Sequence, residues 1–360
     1  MCDHLARKSL VFSKGIQSTD IQLSLTLVIP VKGATPFSAD CFSSWLKQDY
    51  EGELEIIFSL EDPMDSALKI IEKLKNTRPF RIIVNPIRQG FSGKMSNLFY
   101  GIQSAKNELI ISSDSDIVAP DDTVKKIVSL IESGKDIVSC LPRHVGGKNL
   151  WGKVLEIQWN VGMMYLWAPS LLRNRPLGIA GGTFALKKGI LNKIGGLEAF
   201  KDYVAEDLAL GMEARRAGLR IGLGPPVQSP IGIISFREIY DKLTRASLSN
   251  THMSPWGMGT AFVLYMFFYA YLPILLGSLF LGQPYVFLLS LGYVLASAIF
   301  MGRLASFAGN HFRFPYENII GDILAFSVFL ITLFKKDVCW GGIHYRVGKR
   351  GRMSQVRKEI

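Results

Sequence analysis

Two aspartates separated by one residue, Asp114 and Asp116, follow the apolar residues 109–111 in a chain whose formal net charge is +11. Because side chains alternate along an extended backbone, both carboxylates are expected on the same face. Neighbouring carboxylates repel each other unless a cation lies between them, and Mg²⁺ or Mn²⁺ bridging phosphates is a common occupant. The spacing therefore predicts a divalent-metal site. The alternative is a simple turn that caps a helix beginning near Asp121.

Acidic residues at two other places could likewise serve either in ligand chemistry or only in local structure. Asp62 follows an apolar run and precedes Pro63, where its carboxylate could reach a ribose or a base at the edge of a sheet. Glu206 and Asp207 open a helical pattern, where an acid could serve only as a favourable first-turn charge. Each of these positions alone is compatible with a structural role.

The first 220 residues alternate short apolar runs with helical patterns. Strands are predicted at residues 23–31, Leu54–Leu60, Arg81–Val84 and Leu109–Ser113, and helices at residues 66–75 and 95–105. Such alternation predicts a mainly parallel sheet covered on both faces, a Rossmann-like α/β domain that closes with the turn-rich residues 222–230. Ligands of such sheets bind beyond the carboxyl ends of the strands, and the acidic motifs fall there.

The last third of the chain contains long uncharged stretches. Residues 258–280 and 285–301 carry no charge and are long enough to span a bilayer. Asp322 shortens the next apolar stretch to residues 323–334, so a re-entrant or third helix is predicted at about residues 319–334. The sequence therefore predicts an integral membrane protein with two spans and this additional helix.

The distribution of charge and cysteine indicates orientation and compartment. Residues 335–360 hold eight Lys or Arg against two acids, a cluster expected on the cytoplasmic face. The four cysteines are scattered without Cys-x-x-Cys pairs, which favours a reducing compartment over a disulfide framework or a zinc site. The beginning of the chain shows no secretory signal pattern, and no motif resembles a nucleic-acid-binding module. We therefore expect a catalytic domain that faces the cytoplasm and no nucleic-acid partner.

Six motifs in this order and spacing resemble a known family. They read EDPMDSA, GKMSN, SDSDI, GIAGGTFALKKGILNKIGGLEAF, AEDLALG and CWGGIHYRV. Together they resemble the ceramide glucosyltransferase family, glycosyltransferase family 21, with its bacterial lipid and hopanoid relatives. The resemblance covers nearly the whole chain after residue 23. It implies a GT-A (Rossmann-like) nucleotide-sugar-binding domain followed by C-terminal transmembrane or interfacial helices.

The resemblance also implies roles for individual residues. Asp114 and Asp116 would hold Mg²⁺ or Mn²⁺ on the donor diphosphate. Asp114 would also belong to the donor-binding residues. Asp207 would be the general base, so that the acceptor attacks in one displacement with inversion. The remaining predicted donor-binding residues are Pro30, Asp62, which would contact uridine and ribose, Lys94, Gly181 and Gly182.

Residues 178–183 admit two interpretations. The glycines could form only a turn, or they could let the backbone approach a donor sugar closely, since glycine has no Cβ to obstruct it. Their place before Asp207 favours the second interpretation.

One family signature is incomplete in this chain. The family has (Arg/Gln)-x-x-Arg-Trp, where this sequence has Lys242, Leu243, Thr244, Arg245 and Ala246. Arg245 is retained and would stabilise the departing negative charge as a catalytic residue. The family tryptophan is replaced by Ala246, which alters the acceptor or diphosphate subsite.

The predicted organisation has five segments. These are an N-terminal extension (1–22), a GT-A catalytic domain (23–230), an interfacial segment with Arg245 (231–257), membrane helices (258–334) and a basic cytoplasmic tail (335–360).

The predicted function is transfer of a sugar, glucose first among the candidates, from a UDP-sugar to a lipid hydroxyl. Ceramide, diacylglycerol and hopanoids are the candidate acceptors. Two alternatives are a polysaccharide or polyprenyl-phosphate glycosyltransferase and a catalytically silent membrane sensor of sugar nucleotides.

Overall fold

The computed structural model describes residue 16 and residues 22–75, 77–88, 90, 92–162, 178–253, 271–307, 316–340 and 343–355. The chain divides into two compact units. The first unit comprises Met1–His144 and Met163–Pro230, and the second comprises Val145–Gly162 and Ile231–Ile360. Residues 145–162, which the sequence analysis assigned to the catalytic domain, thus group with the second unit.

The strands, in chain order, are β1 (Leu25–Pro30), β2 (Leu54–Leu60), β3 (Arg81–Val84), β4 (Leu109–Ser113), β5 (Ile137–Cys140), β6 (Pro142–Gly147), β7 (Thr183–Lys187), β8 (Ile221–Leu223), β9 (Val227–Gly232), β10 (Asp337–Trp340), β11 (Ile343–Val347) and β12 (Met353–Gln355).

The α-helices are α1 (Ser38–Leu46), α2 (Leu68–Lys73), α3 (Gly93–Ser104), α4 (Thr123–Glu132), α5 (Leu150–Gly162), α6 (Lys188–Lys193), α7 (Glu206–Arg216), α8 (Phe236–His252), α9 (Tyr271–Phe280), α10 (Pro284–Phe307) and α11 (Tyr316–Phe334).

A seven-stranded sheet with the order β3-β2-β1-β4-β7-β5-β8 forms the centre of the first unit, counted over the described residues. Strand β1 pairs in parallel with β2 and β4, and β5 pairs in parallel with β8. Strand β7 runs antiparallel to both of its neighbours, β4 and β5. The predicted α/β class with a mainly parallel sheet is therefore confirmed, with one antiparallel strand inserted in the sheet.

Strands β1 and β4 lie in the middle of the sheet and are largely apolar. Every residue of both strands is buried, as expected for strands covered on both faces. Helix α3 packs closely over β1, because a Cβ at Gly101 would lie only 2.3 Å from Cγ1 of Val28. This close packing fixes the beginning of α3, where Lys94 lies.

Local sequence patterns predicted several of these elements well. The predicted bounds of β2, β3 and β4 agree with the structure, and β1 is shorter than residues 23–31. Helix α2 is shorter than residues 66–75, whereas α3 begins two residues before residue 95. Residues 222–230 are not only a turn, because they contain the end of β8 and part of β9.

The second unit contains helices α5 and α8 to α11 and a three-stranded antiparallel sheet, β10-β11-β12. Its described core includes Leu155 of α5, Ile239 and Leu243 of α8, and Val328 of α11. Helix α8 begins with a capping box, in which Ser235 and Glu238 each accept a hydrogen bond from the other's backbone N–H.

The apolar helices of the second unit lie where uncharged sequence predicted them. The first predicted span continues into α9, while residues 258–270 lie outside the described residues. The second predicted span lies within α10. Within the described ranges, α11 is the helix that is both long and apolar enough to cross a bilayer. Asp322 does not end this helix, since its carboxylate accepts hydrogen bonds on a buried face.

Candidate active site

The loop after β4 carries Asp114 and Asp116, and backbone hydrogen bonds hold it in place at both ends. The Asp114 N–H donates to the carbonyl of Gly182 over 2.9 Å. Val118 and Gln228 exchange two backbone hydrogen bonds of 2.8 and 2.9 Å. The loop therefore has a fixed backbone at the carboxyl end of the sheet, where the sequence analysis expected the ligand.

The antiparallel strand β7 brings the glycine segment to this loop. Ser113 pairs with Thr183 in the β4–β7 register, and their hydroxyl oxygens lie 3.0 Å apart. Gly182 is buried, and a Cβ there would lie 3.1 Å from Cγ of Pro142 and 3.3 Å from Cδ1 of Ile117. Gly182 thus supports the Asp114 loop through its carbonyl and its small size.

Lys94 joins two of the three predicted acidic motifs, those that contain Asp114 and Glu206, into one cluster. Its Nζ lies 2.8 Å from Oδ1 of Asp114 and 2.9 Å from Oε1 of Glu206. The same ammonium donates to the carbonyl of Gly181 over 3.4 Å. A cation in the first turn of a helix opposes the helix dipole, so the carboxylates compensate the position of Lys94 in α3.

The charges in this cluster shift the pKa values of both partners. Burial alone would lower the pKa of Lys94, but the charges of Asp114 and Glu206 outweigh it and raise that pKa above its usual range. Burial raises the pKa of Asp114 to about 7. The neighbouring charges of Asp116 and Glu206 add to this rise, while Lys94 opposes it. The excess of carboxylates over ammonium groups therefore favours retention of a proton near neutral pH.

Asp207 lies against the glycine segment at the beginning of α7. A Cβ at Gly181 would lie 2.4 Å from Oδ2 of Asp207, so only glycine leaves room for this carboxylate. Its Oδ1 accepts a hydrogen bond from the N–H of Leu208. One turn later, a Cβ at Gly211 would lie 2.4 Å from the backbone nitrogen of Ile179. Two glycines thus permit the close packing that orients Asp207.

The loops after β1 and β2 are joined through an aspartate that the sequence analysis did not assign. Oδ2 of Asp65 accepts the N–H of Gly33, and its Oδ1 accepts the N–H of Ala67, both over 2.8 Å. Asp62 is exposed, and its Oδ1 accepts the N–H of Met64. Asp62 thus lies at the edge predicted for uridine and ribose and also organises its own turn.

The remaining predicted donor residue of this edge, Pro30, is the buried last residue of β1. The next carbonyl, that of Val31, accepts a hydrogen bond from the side-chain amide of buried Asn97. Glu61 accepts two hydrogen bonds from Arg88, of 2.9 and 2.6 Å. A Cβ at Gly93 would lie 3.2 Å from Oε2 of Glu61, so this ion pair lies beside the beginning of α3.

The chemistry of the Asp114 loop is compatible with a divalent cation. The described residues contain no group of three or more His, Cys, Asp or Glu placed to hold a metal by themselves. Mg²⁺ is commonly held by one or two carboxylates together with substrate phosphates, so three protein ligands are not required. Asp116 is exposed, and its charge raises the pKa of Asp114, as expected for two carboxylates close together.

Arg245 belongs to the second unit, on α8. Its side chain is half-buried, and its carbonyl accepts the hydroxyl of Ser249 over 2.8 Å. Ala246, which replaces the family tryptophan, is also half-buried. The catalytic role of Arg245 stays a prediction.

Sequence reasoning named Lys94, Asp114 and Asp207 but missed two features of the site. It noted Glu206 without pairing it with Lys94, and it did not assign Asp65. The motif EDPMDSA contains both Asp62 and Asp65, so aspartate followed by serine in a turn was the available signal for Asp65.

Comparisons with known proteins identify the family of this chain. The profile described as glycosyl transferase family 21 matches residues 4–353. The chain is 28% identical over 123 residues to ceramide glucosyltransferase of Candida albicans, a match that covers 30% of this chain and 23% of that protein. It is 21% identical over 224 residues to ceramide glucosyltransferase 1 of Caenorhabditis elegans, covering 59% of this chain and 47% of that protein.

A third relative differs in its named acceptor. The chain is 24% identical over 122 residues to undecaprenyl-phosphate 4-deoxy-4-formamido-L-arabinose transferase of Proteus mirabilis, covering 33% of this chain and 37% of that protein. The chain thus spans less than half the length of each of these three relatives.

Proposed function

The chain belongs to glycosyltransferase family 21, and from this membership we propose that it transfers a hexose from a UDP-sugar to the hydroxyl of a membrane lipid. Glucose is the first candidate sugar, and ceramide, diacylglycerol and hopanoids are the candidate acceptors. The names of the two ceramide glucosyltransferases support this choice.

The convergence of Asp114, Glu206 and the Asp207 segment on Lys94 is the observation that carries the proposal. A glycosyl transfer from a nucleotide diphosphate needs positive charge near the diphosphate and a base near the acceptor hydroxyl. Lys94 supplies the protein's own positive charge at the carboxyl end of the sheet. Asp207, held against Gly181, supplies the carboxylate.

Asp207 acts as the general base in this proposal. Its carboxylate takes the proton from the acceptor hydroxyl as the hydroxyl oxygen forms its bond to the anomeric carbon. The bond between that carbon and the diphosphate oxygen breaks on the opposite side, and UDP leaves with the electron pair. Configuration at the anomeric carbon is inverted because the reaction has a single displacement.

Asp114 and Asp116 would hold Mg²⁺ or Mn²⁺, which would neutralise negative charge on the diphosphate. Lys94 lies beside Asp114 and orients its carboxylate. Asp62, Pro30 and the loops joined by Asp65 form the nucleoside end of the site. Gly181 lies beside the donor sugar and leaves room there for the Asp207 carboxylate. Arg245 contributes positive charge to the departing diphosphate.

Exposed apolar side chains in the second unit support the proposal that the acceptor is a lipid. Helices α9 and α10 expose large apolar side chains, including Phe280, Tyr285 and Leu289 at 86%, 82% and 76% exposure. Surfaces of this kind are typical of membrane or protein contacts, and together with α11 they indicate membrane association. We propose that the protein is integral to the membrane, with its catalytic domain and basic tail on the cytoplasmic side. A reporter fused to the C-terminus tests this orientation.

A polyprenyl-phosphate sugar transferase is the second candidate, because the Proteus mirabilis relative carries that name. The same site would then transfer the sugar to a phosphate oxygen, which is already ionised and needs no base. Dependence on Asp207 therefore separates the two candidates.

The decisive experiment is transfer by purified, detergent-solubilised protein. Radiolabelled UDP-glucose, UDP-N-acetylglucosamine and UDP-galactose are each incubated with mixed lipid extract, with and without Mn²⁺ or Mg²⁺. A labelled lipid that disappears with chelator is expected. Binding of a UDP-sugar without any labelled product from lipid or polyprenyl phosphate would instead identify a sensor and contradict the proposal.

A further inference from the structure

A cluster of buried polar side chains lies on the apolar helix α11, within the second unit. Glu317, Asn318 and Asp322 are 2%, 4% and 2% exposed. Polar groups are costly in a helix of this apolarity, and ionisable ones in such helices commonly mark binding or transport sites. The positions are spaced so that Asn318 and Asp322 lie one turn apart on the same face.

Helix α5 contributes Gln158 as the fourth member of the cluster. The side-chain amide of Gln158 donates to Oδ1 of Asp322 over 3.0 Å, and that of Asn318 donates to Oδ2 over 3.2 Å. A Cβ at Gly321 would lie 2.6 Å from Nε2 of Gln158, so glycine permits the two helices to approach here. The close approach and the hydrogen bonds hold this cluster in one arrangement.

Two buried acceptor atoms of this cluster have no hydrogen-bond partner. They are Oδ1 of Asn318, on the same amide that binds Asp322, and Oε2 of Glu317. Buried polar atoms are nearly always paired in folded proteins, and each orphaned acceptor costs about 1–3 kcal/mol. The arrangement is therefore one that a ligand with hydrogen-bond donors would complete.

The chemistry of the unpaired atoms restricts the ligand. A carboxylate and an amide carbonyl accept hydrogen bonds and repel anions, so phosphate-bearing head groups do not fit. The cluster lacks a third acid or a His or Cys partner among the described side chains, and no metal-holding group is found there. Hydroxyl and amide N–H groups are the uncharged donors that match these acceptors.

We propose that Glu317 and Asn318 bind the polar head group of a neutral lipid that carries several hydroxyl or amide donors. The lipid's membrane solubility matches the apolar character of α11. The assignment as an acceptor-lipid site rests on the proposed function, whereas lipid binding itself does not. The cluster would thereby select the class of lipid that the protein accepts.

The first test compares three lipids that differ in the number of head-group donors. Detergent-solubilised full-length protein is titrated with a short-chain ceramide, a short-chain diacylglycerol and a short-chain triacylglycerol, with affinity measured by thermophoresis. Ceramide has two hydroxyls and an amide N–H, diacylglycerol has one hydroxyl and triacylglycerol has no donor. Affinity is expected to fall in that order, and equal affinities for the three lipids would overturn the proposal.

The second test uses matched variants on α11. Glu317→Gln is nearly isosteric and Asn318→Leu removes the amide, so each should lower ceramide affinity about tenfold or more. Ser327→Ala is the control, because Ser327 is exposed and its hydroxyl donates to the Ile323 carbonyl of the same helix. Unchanged ceramide affinity in Glu317→Gln, with normal thermal unfolding, would contradict the proposal even if Asn318→Leu failed to fold.

A parallel measurement separates this inference from the proposed function. Binding of UDP is measured in the same variants and is expected to stay unchanged, because the nucleotide residues belong to the first unit. Lipid affinity that rises with the number of head-group hydroxyl and amide groups, without any sugar transfer, would refute the proposed function but support the lipid site. Transfer to lipid with no effect of Glu317→Gln on lipid affinity would refute the lipid site alone.

Discussion

Gly181 leaves room for the carboxylate of Asp207: a Cβ at Gly181 would lie 2.4 Å from Oδ2 of Asp207. We therefore expect Gly181→Ala to displace that carboxylate by a large fraction of an ångström. Misplacement on this scale lowers turnover by about 10²-fold. Steady-state transfer kinetics measure the change in kcat. Gly189→Ala is the control, because Gly189 is exposed and a Cβ there meets only the end of the Glu108 side chain. Equal kcat in both variants would contradict the close contact.

Asp207→Asn should abolish most transfer to a hydroxyl acceptor while leaving donor binding nearly intact. Asparagine keeps the size of the side chain but cannot take a proton, and loss of a general base lowers the rate by about 10²–10⁴-fold. Single-turnover transfer and equilibrium UDP binding separate the two effects. Glu213→Gln, on the same helix near Arg216, is the matched loss of a carboxylate. Normal turnover of Asp207→Asn would show that another group is the base.

Asp116→Ala should weaken nucleotide binding only when Mn²⁺ or Mg²⁺ is present. Removal of one hard oxygen ligand lowers metal affinity, whereas Lys94 and the nucleoside end of the site stay in place. Calorimetric titration with UDP, with metal or with chelator, gives both affinities. Asp121→Ala removes an exposed carboxylate from the same loop region and should have no such effect. Identical metal dependence of UDP binding in both variants would indicate that the Asp114 and Asp116 motif is only a turn and a helix cap.

The stability of the metal-free protein should depend on the titration of Asp114. Its pKa is raised from 3.8 to about 7 in the folded protein, chiefly by burial. The folded state therefore binds this proton more tightly than the unfolded chain does. The resulting stabilisation is complete below about pH 4 and is lost as pH rises through about 7.

Thermal unfolding in chelator between pH 5 and 8 measures this dependence. Asp114→Asn is nearly isosteric and does not titrate, so the fall in melting temperature attributable to this group should disappear in that variant. If the melting temperature depends on pH equally in the wild type and in Asp114→Asn, the pH dependence comes from other groups.

Arg245→Ala should lower turnover more than it lowers UDP-sugar affinity. A cation that acts on departing charge contributes more in the transition state than in the ground state, and loss of one such contact costs about 10²–10³-fold in rate. Comparison of kcat with the dissociation constant of the donor tests this. Arg237→Ala removes an exposed cation from the same helix and serves as the control. A loss confined to donor affinity would make Arg245 a binding residue only.

Periodicity and strand-end position predicted much of the fold and the chemical types in the site. Strands β2, β3 and β4 are apolar runs with clear boundaries, so local pattern was sufficient. Strand β7 was not predicted, because five residues between a glycine segment and a helix carry little periodic signal. Its pairing with both β4 and β5 is set by tertiary contacts that a single sequence does not reveal.

The same limit applies to the contacts among the acids. The sequence identified Asp114, Asp207 and Lys94 separately, each at the edge of an element. That Lys94 pairs with Glu206 depends on how α3 and α7 pack in the first unit. Gly101 packs against Val28 of β1 and Gly211 packs against the backbone of Ile179, and neither contact has a local signature beyond the glycine itself.

The double hydrogen bonding of Asp65 has a consequence for the thermodynamics of nucleotide binding. Its two oxygens join the backbone of the loop after β1 to the turn after β2 before any nucleotide is bound. Little conformational entropy then remains to be lost in these loops when uridine binds. Calorimetry of UDP binding should accordingly show a small entropic penalty, and Asp65→Ala should enlarge that penalty without removing any contact to the nucleotide.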